Sequence, residues 1–219
     1  MKTLQKVGGI SALYMAVSHL IGIVIFIIVL DYLSITDPAQ KVALNVEKQT
    51  VVFSTNLLMY VFFGFALAVL SLALYDRMKS SASALIQVTA VIGIIWAGSL
   101  IASGMVANAG LTTVVALYAK DPAQAVLTFQ SIEAVTNGLG NANGEVLGGM
   151  WTLLVSLAAL RTGEFPKGLN IIGVIIGAMG IITIIPVLTD FTGLFGVGQI
   201  IWFVWLGIVL LRINSSKVA

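Results

Sequence analysis

Long apolar runs, separated by short polar segments, dominate the chain. A membrane-spanning helix needs about 20 mainly apolar residues, and six runs qualify. The predicted spans are residues 7–33, 51–75, 83–107, 142–160, 168–188 and 193–211. None shows the alternating pattern of a membrane-barrel strand. The pattern therefore predicts an all-α polytopic membrane helix bundle, with six transmembrane helices in a single transmembrane domain covering residues 1–219.

The basic residues are unevenly distributed over the connecting segments, and Lys and Arg favour the cytoplasmic side of a membrane. With the N-terminus inside, the inner segments hold Lys2, Lys6, Arg77, Lys79, Arg161, Lys167, Arg212 and Lys217. The outer segments hold Lys41, Lys48 and Lys120, together with all the acidic residues except Asp76 and Glu164. We therefore expect a multi-pass protein of the inner (cytoplasmic) membrane with both termini cytoplasmic.

The two longer outer connections contain the same four residues, DPAQ, at 37–40 and 121–124. Asp at the N-cap followed by Pro at the first helical position predicts a helix start. We expect the helix that begins at Pro38 to continue into the second span. At the offset between the two motifs, Arg77 maps onto Arg161. The fold is then built from duplicated helical hairpins, or else two helix starts use the same chemistry independently.

Composition supports the membrane class and narrows the chemistry. The chain is 59% hydrophobic and 9% charged, with a mean hydropathy of +1.07, whereas a soluble domain carries about 25% charged residues. A net charge of +2 gives no indication of a nucleic-acid partner. The chain has no Cys and one His, so we expect no metal site and no cofactor.

The stretch from Asn137 to Trp151, NGLGNANGEVLGGMW, carries unusual residues for the entrance to an apolar segment. Asn137, Asn141 and Glu145 are spaced four residues apart, so they form one polar stripe if the stretch is helical. Its glycines make such a helix thin and allow neighbouring backbones to approach closely. We therefore expect the other helices to pack around this element.

Polar and ionisable side chains within the predicted spans gather toward the outer half. Intramembrane ionisable groups are functional candidates because burying them in lipid is unfavourable. The prediction is an outward-opening ligand-binding pocket lined by His19, Asn56, Tyr60, Asn108, Asn141, Glu145 and Gln199.

Five of these side chains also have a structural interpretation. Asn56, Asn108 and Gln199 can simply bond to neighbouring helices, as polar groups in membrane bundles do. Glu145 can be a carboxylate at a helix start, stabilised by the helix dipole. His19 can be a neutral ring bonded to a neighbour.

The C-terminal segments GLNIIGVIIGAMGIITIIP (residues 168–186) and GLFGVGQIIWFVWLGIVLLR (residues 193–212) carry a resemblance. Together with VGGISALYMAVSHLIGIVIF (residues 7–26) and EVLGGMW (residues 145–151), they resemble the prokaryotic domain-of-unknown-function 4386 family of six-helix membrane proteins. The resemblance implies the six-helix fold. It implies no activity and no catalytic residues.

These observations favour a non-enzymatic role. The protein is expected to bind or pass a small apolar or amphiphilic ligand, or to act as an accessory subunit of a membrane complex. Membrane lipid, such a ligand, and a second copy or another membrane protein are the expected partners. The alternative is a lipid-acting hydrolase or transferase that uses Glu145 and His19, although no recognised catalytic motif accompanies them.

Overall fold

The computed structural model describes residues 2–141 and 145–212, and these ranges are all-α without a strand. Its α-helices are α1 (Lys2–Ile23), α2 (Pro38–Glu47), α3 (Gln49–Asn56), α4 (Phe63–Met78), α5 (Ser83–Tyr118), α6 (Pro122–Thr136), α7 (Val146–Thr162), α8 (Lys167–Ile182) and α9 (Phe191–Arg212). Its π-helical segments are Val24–Val29, Leu57–Phe62 and Asn137–Asn141. Its short 3₁₀ turns are Tyr32–Ser34 and Pro186–Leu188.

Four continuous helical stretches in the described ranges are long and apolar enough to cross a membrane. They are Thr3–Val29, Gln49–Met78, Ala84–Tyr118 and Phe191–Arg212. The two other predicted spans correspond to shorter apolar helices, α7 with 17 residues and α8 with 16. The crossing of the membrane by α7 and α8 stays a prediction.

Helix contacts run in a ring from α1 through α4, α5, α7, α8 and α9 back to α1. At one end of this ring, which we call the termini end, the Gln5 side chain donates to the carbonyl oxygen of Leu210 at 2.9 Å and accepts from Arg77 at 2.6 Å. Arg77 also pairs with Glu164 in the α7–α8 connection. At the opposite end, α2 and α6 pack against each other and against α5.

Both Asp-Pro motifs start helices, as the sequence predicts. Asp37 accepts a hydrogen bond from the backbone N–H of Ala39, and Asp121 accepts one from Gln124, each at 3.0 Å. The expectation of one unbroken helix from Pro38 into the second span is wrong. The backbone leaves the helical region at Lys48, with φ −103° and ψ 25°, and α3 begins afresh after it.

Two parts of the chain repeat the same order of elements. The first arm consists of α2, α3, the segment Leu57–Phe62 and α4, and the second arm consists of α6, the segment Asn137–Asn141 and α7. The offset that relates Asp37 to Asp121 also brings α4 onto α7 to within one residue at each end. The repeated order fits duplicated hairpins, and the duplication itself stays a prediction.

The stretch from Asn137 to Trp151 is not one helix. The π-helical segment Asn137–Asn141 is interrupted at Gly140, whose φ of 120° lies in a region that favours glycine, and α7 starts only after Glu145. Asn137 and Glu145 therefore do not share a stripe on one helix. The side chain of Asn141 lies outside the described part of the chain.

The glycines that follow this break do allow a close helix contact. A methyl group added at Gly149 would lie 2.7 Å from the carbonyl oxygen of Gly177 and 2.6 Å from the backbone nitrogen of Ile181. The backbones of α7 and α8 thus touch directly, as small residues permit in membrane bundles. This contact holds one side of the ring together.

Candidate functional site

A cavity of about 730 Å³ lies where the end of α1, the first arm, α5 and α6 meet. This large cavity is lined mainly by apolar side chains, among them Ile23, Ile27, Met59, Leu111 and Ile132. Its polar lining residues are Tyr32, Thr36, Lys41, Asn45, Asn56, Tyr60, Glu133, Thr136 and Asn137. The volume falls within the roughly 300–1,000 Å³ that is usual for small-molecule sites.

Four of these side chains form a polar cluster, made up of Tyr32, Lys41, Asn45 and Glu133. The Asn45 side-chain nitrogen donates to the carbonyl oxygen of Lys41 at 2.7 Å, and it lies 3.5 Å from the Tyr32 hydroxyl. The ammonium group of Lys41 is 3.7 Å from a Glu133 carboxylate oxygen and 5.2 Å from the centre of the Tyr32 ring. The cluster joins α2, α6 and the chain after α1 around one ion pair.

Tyr32 is placed by a sharp turn after α1. Asp31 adopts a left-handed conformation with φ 46°, and its carbonyl oxygen accepts hydrogen bonds from the backbone and the hydroxyl of Ser34. The Tyr32 ring then meets Phe26 edge-on, at 5.7 Å between centroids. Burial raises the pKa of the Tyr32 hydroxyl above its ordinary value, which is already high enough to keep a tyrosine neutral at physiological pH.

All three π-helical segments of the described ranges contribute to the wall of the large cavity. Phe26 and Ile27 come from the first segment, Met59 and Tyr60 from the second, and Asn137 from the third. A π-helical turn widens the local backbone and often marks a functional site. The irregular backbone of the protein is thus concentrated around this space.

Two of the predicted pocket residues, Asn56 and Tyr60, line the large cavity. Asn56 is buried, and its side-chain nitrogen donates to the Asn108 side-chain oxygen at 3.0 Å. Asn108 in turn donates to the carbonyl oxygen of Phe53 at 3.2 Å. Asn108 therefore joins α5 to α3 behind the cavity wall, which is the helix-contact alternative for this residue.

His19 lies in the middle of the ring of helices and not in the wall of the large cavity. Its ring packs edge-on against Phe63 at 4.9 Å and is stacked with Phe203 at 6.5 Å. The chain of ring contacts continues through Trp96, Trp151 and Trp202 back to Phe203. His19 is thus one member of a circle of contacting aromatic side chains, the aromatic circle, that fills the centre of the bundle.

Glu145 and Gln199 lie elsewhere again. Glu145 is the N-cap residue of α7, and its backbone N–H donates to the Thr183 hydroxyl at 2.8 Å, which ties α7 to the end of α8. Its carboxylate lies within electrostatic reach of Tyr60. Gln199 is fully buried and donates to the Thr152 hydroxyl at 2.6 Å, between α9 and α7. Of the predicted residues whose side chains the structure describes, Asn56 and Tyr60 line the large cavity, and His19, Asn108, Glu145 and Gln199 do not.

The family model described as a domain of unknown function, DUF4386, matches residues 7–209. The chain belongs to this family. No curated protein matches the chain, and no solved structure matches it. The match covers every residue that lines the large cavity, from Gly22 to Asn137, so the candidate site lies within the family domain.

In this DUF4386 protein the polar cluster is suited to binding, and His19 and Glu145 belong to different parts of the bundle, the aromatic centre and the start of α7. A catalytic acid and base must reach the same reacting atoms. The His19 ring is packed between Phe63 and Phe203. No group of three or more potential metal ligands occurs within residues 2–141 and 145–212.

Sequence reasoning missed the two charged residues of the cavity wall and Asn45 between them and Tyr32. Lys41, Asn45 and Glu133 lie in the connections between the predicted spans, where charged residues are ordinarily solvated. One available signal was the spacing of Lys41 and Asn45, which places both side chains on one face of the helix started by Pro38. The second was the repeated DPAQ motif, which supplies two helices at the same end of the bundle.

Proposed function

We propose that this protein is an integral membrane protein that binds a small amphiphilic molecule in the large cavity. The observation that carries the proposal is a cavity of about 730 Å³ whose wall combines many apolar side chains with one compact polar cluster. An apolar pocket with a few placed polar groups is the usual form of a small-molecule site. The apolar wall accommodates a hydrocarbon portion, and the polar cluster accommodates a head group.

The level of the cavity along the helices also supports an amphiphile. Helix α5 has 36 residues, and at a rise of about 1.5 Å per residue Ala107 lies roughly 36 Å from its start at the termini end. The hydrocarbon core of a bilayer is about 30 Å thick. With the near boundary of the hydrocarbon at the start of α5, Ala107 and Val114, which line the cavity, would lie at the far boundary and beyond it, where the two parts of an amphiphile separate.

Filling the cavity tests the proposal. We expect Ala107→Phe, which places a ring in the large cavity, to abolish binding of a dodecyl amphiphile while the protein stays folded. Binding is measured by native mass spectrometry of protein released from a polyoxyethylene detergent, with dodecyl maltoside and dodecylphosphocholine as probes. Equal binding by the wild type and the Ala107→Phe variant would remove the cavity as the site.

The matched control is Ala109→Phe. Ala109 lies on the same helix but is exposed on the surface of the bundle, and it does not line the cavity. The same added volume at Ala109 is expected to leave probe binding unchanged. A loss of binding in both variants would indicate a general effect on α5, and the size-exclusion profile of each variant separates that outcome from misfolding.

We further propose that all six apolar helices or helical stretches cross the inner membrane, with both termini in the cytoplasm. The pairing of Arg77 with Glu164 supports this topology because it places the α7–α8 connection at the termini end, beside the α4–α5 connection. Single cysteines in this Cys-free chain test it through an impermeant thiol reagent. Cys at Lys79 and Lys167 is expected to label from one side, and Cys at Lys48 and Asp190 from the other. Labelling of Lys167→Cys together with Lys48→Cys would exclude the crossing by α7.

A further inference from the structure

We propose that the ligand of the large cavity is a single-chain amphiphile with a zwitterionic head group, whose anion binds Lys41 and whose cation binds between Glu133 and the Tyr32 ring. This inference rests on the proposed function and specifies the class of ligand. It follows from the charges in the cavity wall, which belong to one cation and one anion in contact with the same space.

The ion pair between Lys41 and Glu133 is loosely held. Its separation of 3.7 Å is longer than that of a charge-assisted hydrogen bond, and its two side chains are 25% and 32% exposed. Partly exposed ion pairs of this kind contribute little to stability, so the pair opens at small cost. Both groups are therefore available to a ligand.

The presence of both signs selects against a ligand with a single charge. An anionic head group that binds Lys41 leaves the Glu133 carboxylate without its partner beside a second negative charge. A cationic head group that binds Glu133 leaves the Lys41 ammonium group without its partner beside a second positive charge. Like charges brought together at a binding site disfavour the complex. A zwitterion replaces both partners at once and keeps the cavity neutral.

The aromatic side of the cluster fits the cationic part of the head group. The Tyr32 ring already has the Lys41 ammonium 5.2 Å from its centre, and an aromatic face next to a carboxylate is the usual recognition site for an organic ammonium. The Lys41 side chain is long and flexible, so it can move toward a ligand anion while a ligand cation takes its place over the ring. Phe26 and Phe129 add aromatic surface to the same wall.

The apolar lining sets the number of chains. A cavity of about 730 Å³ is of the size that holds one drug-sized molecule. Ile23, Ile27, Met59 and Leu111 line the part contributed by α1, the first arm and α5. One hydrocarbon chain fits along these side chains, below a head group at the polar cluster.

Four probes with the same dodecyl chain test the inference by native mass spectrometry. They are dodecylphosphocholine (zwitterionic), dodecyl phosphate (anionic), dodecyltrimethylammonium (cationic) and dodecyl maltoside (neutral). We expect the zwitterionic probe to bind the wild-type protein about tenfold more tightly than either singly charged probe. Equal affinities for the four probes, or a preference for a singly charged one, would overturn the inference.

Two charge-neutralising variants make the test specific. Lys41→Gln is expected to weaken dodecylphosphocholine binding about tenfold and to favour dodecyltrimethylammonium, because Glu133 is then unopposed. Glu133→Gln is expected to weaken the same probe and to favour dodecyl phosphate. The control variants are Glu47→Gln and Lys48→Gln, which remove an exposed ion pair outside the cavity wall. They are expected to leave all four affinities unchanged.

The outcomes separate the two proposals. Binding of dodecyl maltoside that is lost in Ala107→Phe, without any preference among head groups, would retain the cavity as a site and overturn the zwitterion. Probe binding that is insensitive to Ala107→Phe would overturn the proposed function itself. If Lys41→Gln or Glu133→Gln fails to fold, the wild-type preference among the four probes still decides the inference.

Discussion

The α7–α8 contact and the large cavity differ in how their helices meet. At the contact, regular helices touch through Gly149 and Gly177, and the neighbouring centre of the bundle is filled by Trp151, Trp202 and Phe203. At the cavity, three helical stretches pass through π-helical segments, and polar side chains line the space between them. Regular helices with glycine at the crossing exclude volume efficiently. Irregular turns in neighbouring helices leave a space that a ligand can occupy.

The same difference appears in the polar groups of the two regions. In the packed centre, Gln199 donates to Thr152 within the bundle, so the polar contact links helices. At the cavity, Lys41 and Glu133 contact each other only at 3.7 Å and remain partly exposed. Polar groups that serve packing are expected to affect stability when they are changed, whereas those at the cavity are expected to affect binding.

The largest effect on stability is expected from a substitution at the α7–α8 contact that adds only one methyl group. Gly149→Ala adds a methyl group within 2.8 Å of three backbone atoms of α8, which cannot move aside without separating the helices. We expect a loss of about 1–3 kcal/mol in the free energy of unfolding. Unfolding in a denaturing detergent, followed by tryptophan fluorescence, measures it.

The control for that substitution is Gly98→Ala in α5, where an added methyl group meets nothing within 4 Å. Alanine is the better helix former, so this variant is expected to gain about 0.5–1 kcal/mol. If the two substitutions changed the free energy of unfolding equally, α7 and α8 could separate at the contact without loss of stability. The contrast between the packed region and the cavity would then be lost.

A smaller loss is expected at the termini end on substitution of Arg77. Its guanidinium group pairs with Glu164, donates to Gln5 and lies 5.7 Å from the centre of the Phe165 ring. The two charged side chains of the pair are 16% and 26% exposed, so Arg77→Met is expected to cost about 1–2 kcal/mol, less than a fully buried pair. The same unfolding assay measures it.

Lys79 provides the comparison for Arg77, because it pairs with Asp76 at the same end of α4 but is more exposed. Lys79→Gln is expected to leave stability unchanged within error. Dodecyl-probe binding should be unaffected in both variants, because neither residue lines the cavity. A binding defect in Arg77→Met with unchanged stability would contradict the separation of the two ends.

The smallest effect is expected at the boundary between the two regions. Asn108→Ala removes the acceptor for Asn56 and the donor to the Phe53 carbonyl, at an expected cost of about 0.6–1 kcal/mol. Probe binding is expected to persist, because Asn108 lies behind the wall. In a double-mutant cycle with Asn56→Ala, additive changes in stability would argue against a direct contact between the two side chains.

The sequence was sufficient for the class of fold and for the helix starts. Apolar runs predict membrane-length helices because lipid leaves few alternatives for the backbone, and Asp37 and Asp121 cap their helices as the Asp-Pro pairs indicate. The breaks at Lys48 and Gly140 could not be predicted. Each is one local change of backbone conformation in a polar region, where hydrophobic periodicity carries no information.

The candidate site was predicted only in part, because its residues are brought together by tertiary packing. Asn56 and Tyr60 were recognised as polar residues within a span. Lys41 and Glu133 were not, since their proximity depends on the packing of α2 against α6. Gln199 and Asn56 have similar predicted depths in the membrane, but Gln199 is buried in the packed interior of the bundle. Depth along a helix does not specify the direction in which a side chain points.

The distribution of tryptophan has a spectroscopic consequence. Trp96, Trp151 and Trp202 belong to the aromatic circle, and Trp205 packs against the same buried core. None of the four lines the large cavity. We therefore expect intrinsic indole emission to report the integrity of the bundle interior and to change little when the cavity is occupied. A fluorophore attached through a single engineered cysteine near Tyr32 would report occupancy alone, so denaturation and ligand uptake can be followed in one sample at two wavelengths.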